Sequence, residues 1–180
     1  DEMVGIAKKL KPKNVTFVPE KREEVTTEGG LDCIKNADPL HSALSILKAE
    51  GIHCSLFIDP DAEQIEQAQK LGADAIEIHT GTYCNVLEVH YEKFHSYDVQ
   101  DQTFSNRVMQ EILKLKSASN IAKSLDLLVY AGHGLHTRNL KPIVAIQEIE
   151  EYNIGHAIIA RAVFVGLKAA IQEIQNILHG

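Results

Sequence analysis

The sequence is short of basic residues relative to acidic ones. Its 180 residues include 18 lysines and arginines against 25 aspartates and glutamates, a formal net charge of −7. Nucleic acids and anionic membranes bind to stripes of Lys and Arg, and the sequence has few basic clusters. We therefore expect neither partner, and any anionic ligand must be held by a local site.

Cysteine motifs and long apolar runs are also missing. Cys33, Cys54 and Cys84 lack the C-x-x-C spacing of zinc and redox motifs, which predicts free thiols in a reducing cytoplasm. No apolar run approaches the roughly 18 residues that cross a bilayer, and no signal peptide is evident. We predict a cytoplasmic protein. Because the chain also lacks an initiator Met, we expect its native start to lie upstream.

What is present is an alternation of short apolar runs with longer segments of helical period, which is typical of βα units around a parallel sheet. The predicted strands are 14–18, 53–59, 74–81, 125–134 and 153–159. Helices are predicted over about 60–72, 106–125 and 163–177. The long segments 19–32 and 84–104 are predicted as loops, the second an insert that forms a lid or an interface.

Five parallel strands fit either an open doubly wound sheet or part of a (β/α)8 barrel. The open sheet would usually carry G-x-G-x-x-G after its first strand, and the sequence has no such motif. A complete barrel typically takes about 250 residues. We predict a single domain over 1–180 that is a barrel short of about three units.

One predicted strand carries an acidic residue inside an apolar run. Alternation puts Glu77 and His79 on one face of 74–81 and the isoleucines on the other. The isoleucine face suits helices, so Glu77 is predicted to point into the barrel near the catalytic end of its strand. A buried carboxylate costs several kcal/mol unless it is bonded, which favours function, with a structural ion pair as the alternative. The role of His79 is open.

A second candidate is His133, which lies between Gly132 and Gly134 at a predicted strand end. The glycines allow a ligand to approach the backbone, and the imidazole can exchange a proton near neutral pH. The alternative is a tight turn with a solvated His133. His136 follows three residues later, but without a carboxylate at matching spacing it indicates a metal site only weakly.

Two further segments could hold anions. Gly155 and His156 lie in the last predicted strand with Arg161 after them, and the loops after the last barrel strands commonly bind phosphate. Loop 19–32 contains Thr26 and could bind a second anion or serve only as a connection.

Asp59, before a proline, is interpreted as a helix N-cap. No strand ends in Lys, which disfavours an enzyme-bound Schiff base.

Five blocks resemble the pyridoxine 5'-phosphate synthase family. They are VPEKREEVTTEGGLD (18–32), SLFIDPDAEQI (55–65), AIEIHTGTY (75–83), AGHGL (131–135) and NIGHAIIARAV (153–163). The resemblance covers nearly the whole chain and only the C-terminal part of the family. It implies a (β/α)8 TIM barrel of which this chain forms about the last five βα units, with the first three strands absent.

The resemblance also implies an activity. The family condenses 3-amino-2-oxopropyl phosphate with 1-deoxy-D-xylulose 5-phosphate to give pyridoxine 5'-phosphate, phosphate and water, without a cofactor. In this chain His133 resembles the general acid and Glu77 the carboxylate that stabilises transition-state charge. The substrate-binding residues implied by the resemblance are Thr26, Gly134, Gly155 and His156.

The same resemblance implies a homo-oligomer, an octamer, and places further catalytic residues on the absent strands. We therefore expect the 180 residues alone to be inactive. Two alternatives to the synthase remain. One is a metal-dependent barrel hydrolase or aldolase that uses His79, His133 and His136, and the other is a non-catalytic module that binds phosphorylated metabolites.

Overall fold

Five parallel strands form the centre of the protein. The computed structural model of the chain describes residues 2–19, 29–94 and 102–180. The strands are β1 Asn14–Phe17, β2 His53–Ile58, β3 Ala75–His79, β4 Leu128–Gly132 and β5 Glu151–Asn153. They pair in chain order and every pair is parallel. The sheet is curled, as in part of a (β/α)8 barrel.

Helices connect these strands, because a parallel pair needs a crossover between its members. Over the described residues they are α1 Glu2–Leu10, α2 Ala37–Ala49, α3 Ala62–Lys70, α4 Gly81–Phe94, α5 Gln102–Ser124, α6 Leu140–Val144, α7 His156–Val165 and α8 Leu167–His179. Among them we find none with the length and apolarity that a membrane span requires.

The first four predicted strands are confirmed, but the fifth is wrong. The strand there is Glu151–Asn153, and the segment predicted as strand from His156 onward begins α7. A short apolar run such as His156 to Ile159 does not distinguish a strand from a buried helix by its period. Gly155, at the helix N-cap, marks the boundary.

Two further predictions, one of a loop and one of a helix, need correction. Residues 84–104 were predicted as a loop, yet in the described ranges they belong to α4 and α5. Tyr83, Cys84 and Leu87 lie buried at helical spacing, a signal that the charged residues of the segment obscure. The role of residues 84–104 as a lid or interface stays a prediction.

The predicted helix 163–177 is divided into α7 and α8 at Gly166, which has a φ of +84°.

The two faces of β3 have different neighbours, as alternation predicts. Ile76 and Ile78 are fully buried in the core that the helices share with the sheet, together with Ile65 of α3. Glu77 instead lines a cavity on the opposite side of the strand. The fold therefore holds this carboxylate inside the curled sheet.

Candidate active site

The carboxyl ends of the strands surround a cavity of about 450 Å³. Its polar lining includes Glu77 from β3, His133 from the loop after β4, and Asn153 at the end of β5. Phe57 of β2 and Val18 after β1 supply apolar contacts. This is the end of a barrel at which active sites form, because every strand delivers a loop there.

Glu77 is held in this cavity by an amide. Its side chain is 8% exposed, and its Oε2 accepts a hydrogen bond from Nδ2 of Asn153 at 2.7 Å. Burial raises the pKa of Glu77, and the nearby charge of Glu151 raises it further, against the opposing effect of the Asn153 bond. Within the described ranges the bonded partner of Glu77 is this neutral amide, so the structural ion pair receives no support.

The glycines on either side of His133 have packing reasons that the sequence did not show. A Cβ on Gly132 would lie 2.1 Å from Oε1 of Glu77, so any other residue there would displace the carboxylate from its observed position. Gly134 has a φ of +77°, and a Cβ there would lie 2.8 Å from the Cβ of Cys84. The GHG motif thus accommodates Glu77 and helix α4 at the same time.

His133 occupies an unusual backbone conformation, with a φ of 79°. The hydroxyl of Thr80 contacts the carbonyl oxygens of Gly132 and His133 at 2.7 and 2.6 Å, and so holds the turn. A left-handed conformation is strained for a side chain other than glycine and persists where the surroundings impose it. Burial lowers the pKa of His133, and the charge of His79 lowers it further.

Asp59 is not the N-cap that was predicted. The side chain of Asp61 caps α3 by accepting from the backbone N–H groups of Glu63 and Gln64. Asp59 Oδ1 instead lies 2.8 Å from Nδ1 of His79. The D-x-x-Q pattern from Asp61 onward was the signal that could have separated the two aspartates, because it resembles a capping box.

The predicted phosphate residues lie together at the mouth of the cavity. Gly134, Gly155 and His156 all line it, and His156 is the first residue of α7. The N-terminus of that helix has no side-chain cap bond, so its first backbone N–H groups are not used by a capping side chain. Arg161 does not join them, because its guanidinium is bonded twice to Glu173, at 2.9 and 2.8 Å.

The other candidates lie apart from this group or outside the described part of the chain. Thr26 falls in 20–28, outside the described residues. His136 lines the cavity but its Nε2 contacts Oε1 of Glu88 at 2.7 Å. Among the residues that the structure describes, no three His, Cys, Asp or Glu side chains are grouped as metal ligands, so the geometry does not support a site of His79, His133 and His136.

Comparison with known proteins decides the family. The model of the family described as "Pyridoxal phosphate biosynthesis protein PdxJ" matches residues 1–180. The chain belongs to this family. Similar PdxJ relatives are pyridoxine 5'-phosphate synthases from Syntrophotalea carbinolica, 46% identical over 180 residues, and Sulfurihydrogenibium sp., 47% identical over 177 residues. A third, from Legionella pneumophila, is 44% identical over 179 residues.

These PdxJ alignments cover nearly all of this chain but only part of each relative. The chain is covered to 100%, 98% and 99%, whereas the relatives are covered to 69%, 66% and 66%. The chain therefore spans about two thirds of the length of the curated relatives that it matches.

We expect the Thr80 hydroxyl to be essential for holding the PdxJ GHG turn. The hydroxyl has one proton to donate, and the Gly132 oxygen also accepts from the backbone N–H of Thr80 at 2.9 Å. Thr80→Val keeps the side-chain shape and loses this one hydrogen bond, so stability should fall by about 1 kcal/mol. Thr80→Ser, which keeps the hydroxyl, is the matched control and should lose less. Chemical denaturation of both variants measures the difference, and equal losses would show that the hydroxyl contributes nothing.

Proposed function

We propose that this chain carries part of the active site of a pyridoxine 5'-phosphate synthase. The reaction is the condensation of 3-amino-2-oxopropyl phosphate with 1-deoxy-D-xylulose 5-phosphate to give pyridoxine 5'-phosphate, phosphate and water. The observation that carries the proposal is the meeting of Glu77, His133 and the N-terminus of α7 at one cavity. The printed names of the PdxJ relatives support the same activity.

In this proposal His133 is the general acid. Imine formation, dehydration and ring closure each move protons, and an imidazole beside the substrate can supply them. Burial lowers the pKa of His133, which makes the protonated ring a stronger acid but leaves a smaller fraction of it protonated near neutral pH. The strained backbone at this residue fits a functional position, because strain is retained where the surrounding structure imposes it.

In the same proposal Glu77 is the carboxylate that stabilises charge in the transition state. Glu77 is largely buried beside Asn153, and electrostatic effects are stronger at buried positions than in water. A raised pKa also equips Glu77 to exchange a proton with an intermediate. None of the five described strands ends in Lys, which agrees with a reaction in which the substrate provides the amine.

The two phosphates require two anion sites, and this chain supplies residues for both. Gly134, Gly155 and His156 form the first, for the amino-ketone phosphate, at the uncapped N-terminus of α7. Thr26, by family resemblance, contacts the phosphate of the deoxyxylulose substrate. We propose no cofactor for the reaction.

We also propose that the five βα units are the last five of a (β/α)8 barrel. In the described part of the chain, β1 and β5 each pair on one side only. Val163 and Phe164 of α7 are 80% and 84% exposed, which is unusual for large apolar residues and would end if further barrel units packed there. Assembly of several such barrels into a cytoplasmic homo-oligomer is part of the proposal.

The test is product formation by the protein expressed from its full reading frame. With both substrates it should release phosphate and form pyridoxine 5'-phosphate in equal amounts, measured by a phosphate assay and by mass spectrometry. Omission of either substrate is the control. Binding of both phosphates without product would identify a non-catalytic binding module, and loss of turnover on chelation would favour the metal-dependent alternative.

A further inference from the structure

His79 is deeply buried beside the proposed acid, although it does not line the cavity. Its side chain is 5% exposed, and its ring lies edge-on to that of His133 with the centroids 5.0 Å apart. Phe57 touches both imidazoles, at centroid distances of 5.1 Å to His79 and 6.4 Å to His133. The three rings pack against one another, so a substitution at His79 would alter the immediate surroundings of the His133 imidazole.

A carboxylate fixes the orientation of His79. Asp59 Oδ1 lies 2.8 Å from Nδ1, and the bond to His79 is the main reason that the pKa of Asp59 is lowered. An ionised carboxylate can only accept, so Nδ1 must carry the proton that it donates. Nε2 of His79 is buried and has no hydrogen-bond partner among the described residues. One nitrogen of the His79 ring is therefore bonded to Asp59, and the other is buried without a hydrogen bond, next to the proposed general acid His133.

The absence of a side chain at Gly81 allows this packing. A Cβ there would lie 2.3 Å from Nε2 of His79 and 3.0 Å from Cδ2 of His133. Gly81 is the first residue of α4, so the helix begins directly against both rings. Asp59 also accepts from the backbone N–H of Gly30 at 3.1 Å, which ties the pair to a residue between β1 and α2.

We propose that Asp59 and His79 are a positioning pair that orients His133 and sets the electric field at its imidazole. The inference rests on the proposed function, because it takes His133 as the acid. Neither residue of the pair touches the cavity, so both act through His133. Within the part of the chain that the structure describes, the ionisable groups around His133 come from five elements. They are Asp59 after β2, Glu77 and His79 on β3, Cys84 and Glu88 on α4, His136 in the same loop and His156 on α7.

The pH profile is the readout that a merely structural role would not change. Besides burial, the charge of His79 lowers the pKa of His133. His79→Phe keeps a ring against Phe57 and His133, removes that charge and leaves the Asp59 carboxylate unneutralised. Both effects raise the pKa of His133. The basic limb of the kcat/KM profile should therefore lie at higher pH in His79→Phe than in the parent.

Asp59→Asn removes the charge while preserving the hydrogen bonds. The same oxygen, Oδ1, accepts from both Gly30 and His79, and an asparagine Oδ1 can do likewise. We expect kcat to fall about tenfold with KM changed less than twofold, a size typical of outer partners that orient a functional imidazole. Asp61→Asn, the same change at the neighbouring α3 cap, is the matched control and should leave kcat unchanged.

The double variant shows whether the two residues act as one. If Asp59 works through His79, adding Asp59→Asn to His79→Phe should change kcat less than about twofold, each variant being compared at its own pH optimum. If the two losses multiply instead, Asp59 acts independently and the pair is refuted. Asp59 lies at the surface edge of the site, so this variant remains informative even where His79→Phe unfolds.

Imidazole NMR on the protein from the full reading frame, without substrate, separates this inference from the proposed function. The pair predicts a proton on Nδ1 of His79 and a higher titration midpoint for His133 in His79→Phe. An unchanged midpoint would overturn the inference even if the parent makes product. If the His133 midpoint shifts in His79→Phe but the parent protein makes no product, the positioning pair is supported and the synthase activity is refuted.

Discussion

Replacing His133 with asparagine is expected to lower kcat by about 10²- to 10⁴-fold, the usual contribution of a general acid. His133 has a φ of 79°, and asparagine is among the few side chains that tolerate such a backbone. The variant therefore removes the imidazole without adding strain, and its thermal unfolding should match that of the parent. Single-turnover and steady-state kinetics with both substrates measure the loss.

His133→Gly serves as the companion to this variant. It also lacks the acid, but relief of the left-handed strain should make it at least as stable as His133→Asn. His41→Asn, on an exposed face of α2, controls for the chemical change and should keep the parent kcat. Turnover near the parent rate in either His133 variant would remove His133 from the mechanism.

Replacing Glu77 with glutamine is expected to lower kcat by about 10²- to 10³-fold, because in the proposed mechanism the transition state loses a preorganised charge at a buried position. Glutamine has nearly the same shape and can still accept the hydrogen bond that Asn153 donates. The same variant should unfold at a higher temperature than the parent at neutral pH, because an ionised carboxylate is costly to bury. Activity and stability should therefore change in opposite directions.

The stability gain has a defined pH dependence. The pKa of Glu77 is raised in the folded protein, mainly by burial, so folding favours its protonated form. That contribution is complete below the unfolded-state pKa and is lost as pH rises through the folded-state pKa. The Tm difference between Glu77→Gln and the parent should thus shrink as pH falls toward the ordinary glutamate range. Glu63→Gln on the exposed side of α3 should show no such trend, and a Tm below the parent at neutral pH would contradict the argument.

Much of this site was visible in the sequence because it depends on local patterns. Alternation along β3 was enough to bury Ile76 and Ile78 on one side and to turn Glu77 to the other. The GHG motif placed His133 at a strand end, where the structure has it in the loop after β4. Both inferences need only the period of a strand and the position of glycines.

The predictions that were wrong depended on contacts distant in sequence or on ambiguous periods. Asp59 looked like a cap because a proline follows it, and only the fold brings His79 to its side, twenty residues later. The apolar residues after Gly155 had no period that separates strand from helix. The helical spacing of Tyr83, Cys84 and Leu87 was hidden among charged residues, so a helix was taken for a loop.

The sequence by itself determined the order of βα units and the family, and it predicted which side chains carry the chemistry, because these inferences follow from periodicity and motif. Only the tertiary structure decided how those side chains are held. The room that Gly132 leaves for Glu77, the Thr80 clamp on His133 and the bond from His79 to Asp59 each join residues from different strands and loops. Such contacts arise when parallel strands bring their carboxyl ends to one edge of the sheet, and no local pattern encodes them.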